Sequence, residues 1–468
     1  MARTTVADVL VDGLRRAGAA RVFVAPGAAV ALRAAAQRRS LTVVEAPDAM
    51  AAVVLAAVSG EIGEGPGAAI AGLDDPPGLV RGLAHAQRDR TPLIVVTDAG
   101  VDAGLLAPVV KASLVVEAAS AGHWIAHAAQ LAMADPRGPV HLAVAAGVAE
   151  ESALPMASSC RPAPLPPPEP ASLDAFGAAL AAATRPLLVT GLECGADDVR
   201  WIRSFAEVLP APTVSTPKGK GALADPHPLA LGALTAGHPA LARADLVILL
   251  GVDVGELPPG ALPAGTRVAH IGRAAWPSGA FAVEALGDLA LVIEELAPYV
   301  RARPAADWDV AELDRIKRAI TRDATATPMA RLVALAREAT PAGTLATGDV
   351  PALAAWQAVG PRETLTPLGA TPGYAVLAAL AVQLAHPHRR VVAFTTASGL
   401  GSGAPALSRA AALQLPLVAV AFGALDAGIT SRIERGGVPL RVCRGESGFA
   451  LEFSRAFLSG GPVVVAIG

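Results

Sequence analysis

Short apolar runs, each closed by a Gly/Pro turn and followed by a stretch with helical spacing, recur along the whole chain. Val6, Val9, Leu10 and Leu14 repeat at helical intervals, and the run Arg21-Val22-Phe23-Val24 then ends at Pro26-Gly27. Leu41-Thr42-Val43-Val44 leads through Pro47-Asp48 into an Ala/Val-rich helix, a start suited to the missing proline N–H and to a carboxylate at the positive end of the dipole. Runs at Ala68-Ala69-Ile70-Ala71 and Pro92-Leu93-Ile94-Val95-Val96 follow, separated by a turn at Asp75-Pro76-Pro77-Gly78 and a further helix. Apolar strands alternating with helices imply parallel sheets covered on both faces.

The same pattern restarts twice. CRPAPLPPPEP, Cys160 to Pro170, is too proline-dense for a packed element and reads as an extended linker. Beyond it lie the runs Pro186-Leu187-Leu188-Val189 and Asp245 to Leu250, the latter running into Gly251. A charged stretch, Arg301 to Arg322, precedes a third set: Arg390 to Phe394, Leu417 to Ala421, and Pro462 to Ala466. The expected fold is α/β, three doubly wound parallel-sheet domains in series. They occupy 1–158, 171–300 and 327–468, with a linker over 159–170 and a connector over 301–326. The 468 residues suit this count at roughly 100–200 residues per domain.

Composition removes several function classes. With 53 % apolar and 17 % charged residues, the chain is not disordered. A formal net charge of −3 argues against nucleic acid or an anionic membrane as partner, and 3 % aromatics argues against base-stacking platforms. Cys160, Cys194 and Cys443 are too scattered for a disulfide scaffold or zinc ribbon, and the nine histidines show no metal-ligand spacing. Asp8, Asp12, Arg15 and Arg16 interrupt the N-terminal segment, so no signal peptide is expected, and no apolar run is long enough to span a bilayer. The expectation is a cytoplasmic protein.

Thr5-Val6-Ala7-Asp8-Val9-Leu10, Val22 to Gly27, and Gly82-Leu83-Ala84-His85-Ala86 before Thr91-Pro92-Leu93 occur in that order in the first third. The middle third adds Pro212 to Thr216, Lys218-Gly219-Lys220-Gly221, Asp225-Pro226-His227-Pro228 and Ala244-Asp245-Leu246-Val247. In order and spacing these strings resemble the thiamine diphosphate (ThDP) enzymes of the acetolactate synthase and 2-oxo acid decarboxylase type. The resemblance covers nearly the whole chain. It implies a pyrimidine-binding domain, a central domain and a diphosphate-binding domain, in a homodimer or homotetramer with sites between subunits.

The same resemblance implies a cofactor glutamate after the second strand, and Asp48 stands there. Aspartate has about 1.5 Å less reach, where catalytic geometry tolerates roughly half an ångström. Asp48 reads either as an acid/base group or as a helix cap. The family's magnesium aspartate and asparagine positions fall on Ala397 and Ala424, and the bulky apolar residue that bends ThDP falls on Pro372. Pro26 and Gly27 fall in the pyrimidine-side loop. Thr396, Ser398, Gly399, Leu400 and Gly401 read as part of a loop before a helix from Ala404 to Leu415, suited to an anion or serving only as a tight turn. Lys218, Gly219, Lys220 and Gly251 lie after strands, where relatives bind FAD or the ADP part of a coenzyme A ester. His85, His123, His127 and His227 are the histidines nearest the family's site regions, and Asp349 matches the first strand end of the third domain.

Three readings follow. The first is a repurposed enzyme, without ThDP, magnesium or another metal, acting on a small oxo- or acyl-type substrate by acid–base chemistry with Asp48. The second is a conventional ThDP-dependent lyase or carboligase with an eroded metal anchor. The third is a non-catalytic subunit that pairs with an active paralogue.

Overall fold

The computed structural model describes residues 4–72, 74–98, 103–155, 158–257, 260–277, 281, 283–302 and 306–468. The strands form three six-stranded sheets. The first holds β1 (Arg21–Val24), β2 (Thr42–Glu45), β3 (Gly67–Ala71), β4 (Leu93–Asp98), β5 (Ala112–Val116) and β6 (Pro139–Val144), in the order β2-β1-β3-β4-β6-β5. All of its pairs are parallel, with Phe23 opposite both Val44 and Ala69.

The second sheet holds β7 (Pro186–Thr190), β8 (Thr213–Ser215), β9 (Ala230–Ala233), β10 (Leu246–Leu250), β11 (Val268–Gly272) and β12 (Val283–Leu286). Its order is β12-β11-β10-β7-β8-β9, so the chain reverses direction across the sheet between β7 and β10. That is the dinucleotide-fold order, in which ligands sit where the direction reverses. Alternate residues serve opposite faces: Leu188, Ile248 and Leu250 enter one core, while Leu187, Val189, Val247 and Leu249 enter the other.

The third sheet holds β13 (Leu345–Gly348), β14 (Thr364–Leu365), β15 (Val391–Thr396), β16 (Leu417–Phe422), β17 (Leu440–Cys443) and β18 (Val463–Ile467), ordered β14-β13-β15-β16-β18-β17. The first and third sheets therefore share one topology. The chain divides into two compact units: Met1–Ala163 with Thr347–Asp349 and Pro367–Gly468, and Pro164–Ala346 with Val350–Thr366.

Within the first unit, two helices have no solvent face. Ten of the fourteen residues of Ala49–Ile62 and ten of the twelve of Tyr374–Ala385 are buried, so both belong to an interior layer, and they pack on each other. Their alanine and valine side chains allow that close approach. Gly67 does the same for β3, since a Cβ there would lie 1.8 Å from the Ala56 carbonyl oxygen.

One expectation fails. The string Ser398 to Gly403 is not a loop; a single helix runs Ala397–Ala412 and begins directly after β15. Thr396 caps it, accepting from Gly399 N–H at 3.1 Å. Its glycines serve helix packing: a Cβ at Gly403 would lie 2.7 Å from Val376 Cβ, and one at Gly401 would lie 3.1 Å from Ile429 Cγ1.

Candidate functional site

In a doubly wound sheet, the working edge lies beyond the carboxyl ends of the strands on either side of the reversal. In the first sheet that is the gap between β1 and β3. Pro26 and Gly27 follow β1 and are exposed, with Gly27 at φ +70°. The Asp74 carboxylate lies over Gly27, since a Cβ at Gly27 would stand 2.1 Å from Asp74 Oδ2. Burial, and then the charge of Asp74, hold the carboxyl of Asp98 above its ordinary pKa.

Asp48 is exposed and caps the buried helix, its Oδ1 accepting from Ala51 N–H at 2.8 Å. Glu45, three residues earlier, is paired with Arg33 at 2.6 Å. Asp48 follows β2 and Asp98 ends β4, three strand positions apart, or roughly 14 Å at the usual spacing. The fold does not bring these two carboxyls together.

In the third sheet the corresponding gap lies between β13 and β15. Asp349 follows β13, and its Oδ2 accepts from Thr395 Oγ1 at 3.1 Å, while burial raises its pKa. Thr396, Ala397 and Ser398 form the start of the following helix, and Leu400 is fully buried in it. Ala424 is exposed, just beyond Gly423 after β16. Among the described residues, no three His, Cys, Asp or Glu side chains gather as a metal site.

The central sheet's gap is filled by the chain itself. Glu256 is 4 % exposed and reaches back under the turn after β7. Its Oε2 accepts from Leu192 N–H at 2.9 Å and Asp253 N–H at 3.0 Å, and Thr216 Oγ1 donates to Oε1. Burial pushes its pKa up to about 7 against these three donors. Gly251, at φ +61°, follows β10 and continues its pairing with β11, its N–H donating to Ile271 O at 2.8 Å. Gly219 N–H donates to Thr216 Oγ1 at 3.0 Å, Lys218 is buried, and Lys220 turns away to pair with Asp225 at 2.8 Å. Glu256 and Thr216 were missed in the sequence, although Asp253-Val254-Gly255-Glu256 has capping-box spacing, and that box forms.

The histidines divide. His85 is buried beside Asp89 and Thr371, while His227 Nε2 lies 3.1 Å from Glu207. His123 and His127 stack on one helix face, with ring centroids 6.0 Å apart and Trp124 beside them.

The architecture has known counterparts. Residues 4–100 match the family described as thiamine pyrophosphate enzyme, N-terminal TPP binding domain, and residues 173–296 match the central domain of the same enzymes. The acetolactate synthase large subunit of Parasynechococcus marenigrum is 30 % identical across 88 % of this chain and 75 % of its own length. The chain belongs to the acetolactate synthase-like family of thiamine diphosphate enzymes. Chloroplastic acetolactate synthases 1 of rice and maize are 29 % and 28 % identical, each over 53 % of this chain and 42 % and 43 % of their own. An X-ray structure of a candidate thiamin diphosphate-dependent enzyme from Mycobacterium smegmatis superposes with a TM-score of 0.82, covering 99 % of both chains at 21 % identity. At that identity the likeness speaks for the fold alone. No described helix is long and apolar enough to cross a membrane.

Proposed function

We propose that this member of the acetolactate synthase-like family has given up the ThDP–magnesium anchor and acts on a small oxo- or acyl-type substrate through its own acid–base groups. One observation carries the reading. Where the family resemblance calls for side-chain oxygens on a magnesium diphosphate, the first helical residue after β15 is Ala397 and the loop after β16 presents Ala424. Magnesium demands hard oxygen ligands, and methyl groups supply none. ThDP, where it is bound, supplies a carbanion that attacks a carbonyl. The residues at these two positions do not fit its metal-held diphosphate.

Asp48 remains the best acid/base candidate, because it is solvent-accessible and stands just beyond the carboxyl end of β2, held in place by Ala51 N–H. Pro26, Gly27 and the start of the Ala397–Ala412 helix frame the two strand-end gaps that we assign to the substrate. The protein assembles as a homodimer or homotetramer on this reading. The central domain takes neither FAD nor an ADP group, because Glu256 already occupies the backbone N–H groups that a phosphate would use, and the Lys220 charge is spent on Asp225.

Isothermal titration with ThDP and millimolar magnesium tests the proposal. No saturable binding is expected, and micromolar binding overturns it. A second reading, a ThDP-dependent lyase or carboligase whose diphosphate is held by backbone alone, draws on the match to the TPP binding domain, and micromolar binding upholds it. Pairing with an active paralogue, the third reading, would show as co-purification of a second chain of this fold.

A further inference from the structure

The helix Pro76–Arg88 presents Arg81, Ala84, His85 and Arg88 at spacings of three and four residues, which places them along one face. That face lines a half-open cavity of about 140 Å³ within the first unit, whose wall also includes Met50 and Gly369 to Pro372. The volume equals roughly four or five waters, enough for a small organic acid or an inorganic oxyanion.

The charges inside do not balance. Asp89 is the only carboxylate on the wall, and its side chain is fully buried. It accepts from Leu368 N–H at 3.1 Å and stands 3.7 Å from His85 Nδ1. Arg81 and Arg88 are both exposed, and neither forms an ion pair with a described residue. Two guanidinium groups face one committed carboxylate, leaving a net positive charge at the mouth.

The polar groups are also held in place. The Thr371 hydroxyl lies 3.2 Å from His85 Nδ1, and the His85 ring is fixed against Tyr374 with centroids 5.3 Å apart. Arg88 lies across the Gly369 backbone, where a Cβ would stand 1.7 Å from its Nη1. Glycine at 369 keeps that path open. Met50 comes from the first turn of the buried helix, whose N-terminus Asp48 caps.

We propose that this cavity binds a small oxyanion, a carboxylate or phosphate group, gripped by Arg81 and Arg88 and hydrogen-bonded by Thr371. Guanidinium meets such groups in a planar, two-point fashion, which a lysine pair would not reproduce. None of its groups lies at Asp48, Ala397 or Ala424, and of the positions that the resemblance ties to ThDP only Pro372 is on its wall, so the titrations without ThDP carry the test.

The test is isothermal titration of the full-length protein at low salt with inorganic phosphate, acetate and lactate, each with and without ThDP and magnesium. Saturable binding of phosphate alone assigns a free inorganic anion, and binding of the carboxylates assigns the acid group of a small metabolite. In the double variant Arg81→Met/Arg88→Met the affinity falls about tenfold or more, and Thr371→Val weakens it severalfold. Gly369→Ala displaces Arg88 without removing charge and also weakens binding, while the unfolding temperature reports that each variant is folded. Absence of saturable binding by all three anions in the wild type overturns the site, as does binding unchanged in the double variant. ThDP binding bears only on the proposed function.

Discussion

Glu256 makes a pH-dependence that can be worked out before it is measured. Its carboxyl is buried and bonded by Leu192 N–H, Asp253 N–H and the Thr216 hydroxyl. Burial outweighs those donors and raises the pKa from 4.5 to about 7. The folded state therefore holds the proton more tightly than the unfolded chain does. The stabilisation is complete below about pH 4.5 and is lost as pH rises through about 7. Across that window, at about 1.4 kcal/mol per unit, the loss is about 3 kcal/mol. In Glu256→Gln the amide oxygen can keep both backbone donors, and its NH₂ can donate to the Thr216 hydroxyl, which has a lone pair to spare.

Thermal unfolding followed by tryptophan fluorescence, from about pH 5 to about pH 8, reads the difference. Wild type should lose roughly 6–12 °C relative to the variant over that range, taking 2–4 °C per kcal/mol for a unit of this size. His238 and His270, whose pKa values burial lowers, act with the opposite sign, but they are common to both proteins and cancel. A variant with the same pH slope as wild type would show that Glu256 is not the titrating group.

Asp48 carries two roles that separate by substitution. Asp48→Asn keeps an N-cap and should leave the unfolding temperature unchanged while abolishing turnover, whereas Asp48→Ala should also cost about 1 kcal/mol in denaturant titration. Full activity in the asparagine variant removes Asp48 from the chemistry. Restoring the family ligands by Ala397→Asp with Ala424→Asn should fold normally, because Ala424 is exposed and an acid at the first helical residue meets a favourable dipole. Isothermal titration should then show magnesium–ThDP binding at least about tenfold tighter than in the parent, and no gain would mean that the missing anchor lies elsewhere.

The fold was legible because its signal is local. A valine-rich run ended by glycine or proline says strand without reference to the rest of the chain, and three such series say three sheets. The Ser398–Gly403 string misled for the same reason. Consecutive glycines and serines look like a loop unless one knows that Val376 and Ile429 press on the positions where side chains would stand. Glu256 was hidden for the opposite reason: only its Asp253 partner is local, and the sheet order alone brings residues 192 and 216 to its carboxylate. Nothing in the sequence marks Arg81 and Arg88; the cavity wall they share with Gly369 to Pro372, nearly three hundred residues away, is what singles them out.

The first and third sheets share one strand order, and each has an interior helix of small residues between its second and third strands, Ala49–Ile62 and Tyr374–Ala385. What joins these two halves is the packing of the two helices on each other, both rich in alanine and valine, while within each half glycines sit where the chain must approach closely: Gly67 against Ala56, Gly403 against Val376. None of that surface depends on a bound cofactor. Tight apolar packing of this kind penalises change by whole kilocalories, while an exposed strand-end position such as Ala424 does not. A chain built this way can lose ligand-binding side chains at its strand ends and keep its fold, because the two sets of residues share no atoms. Persistence of the family architecture across 88 % of the chain is therefore compatible with a changed site, and the chemistry must be judged from the strand ends alone.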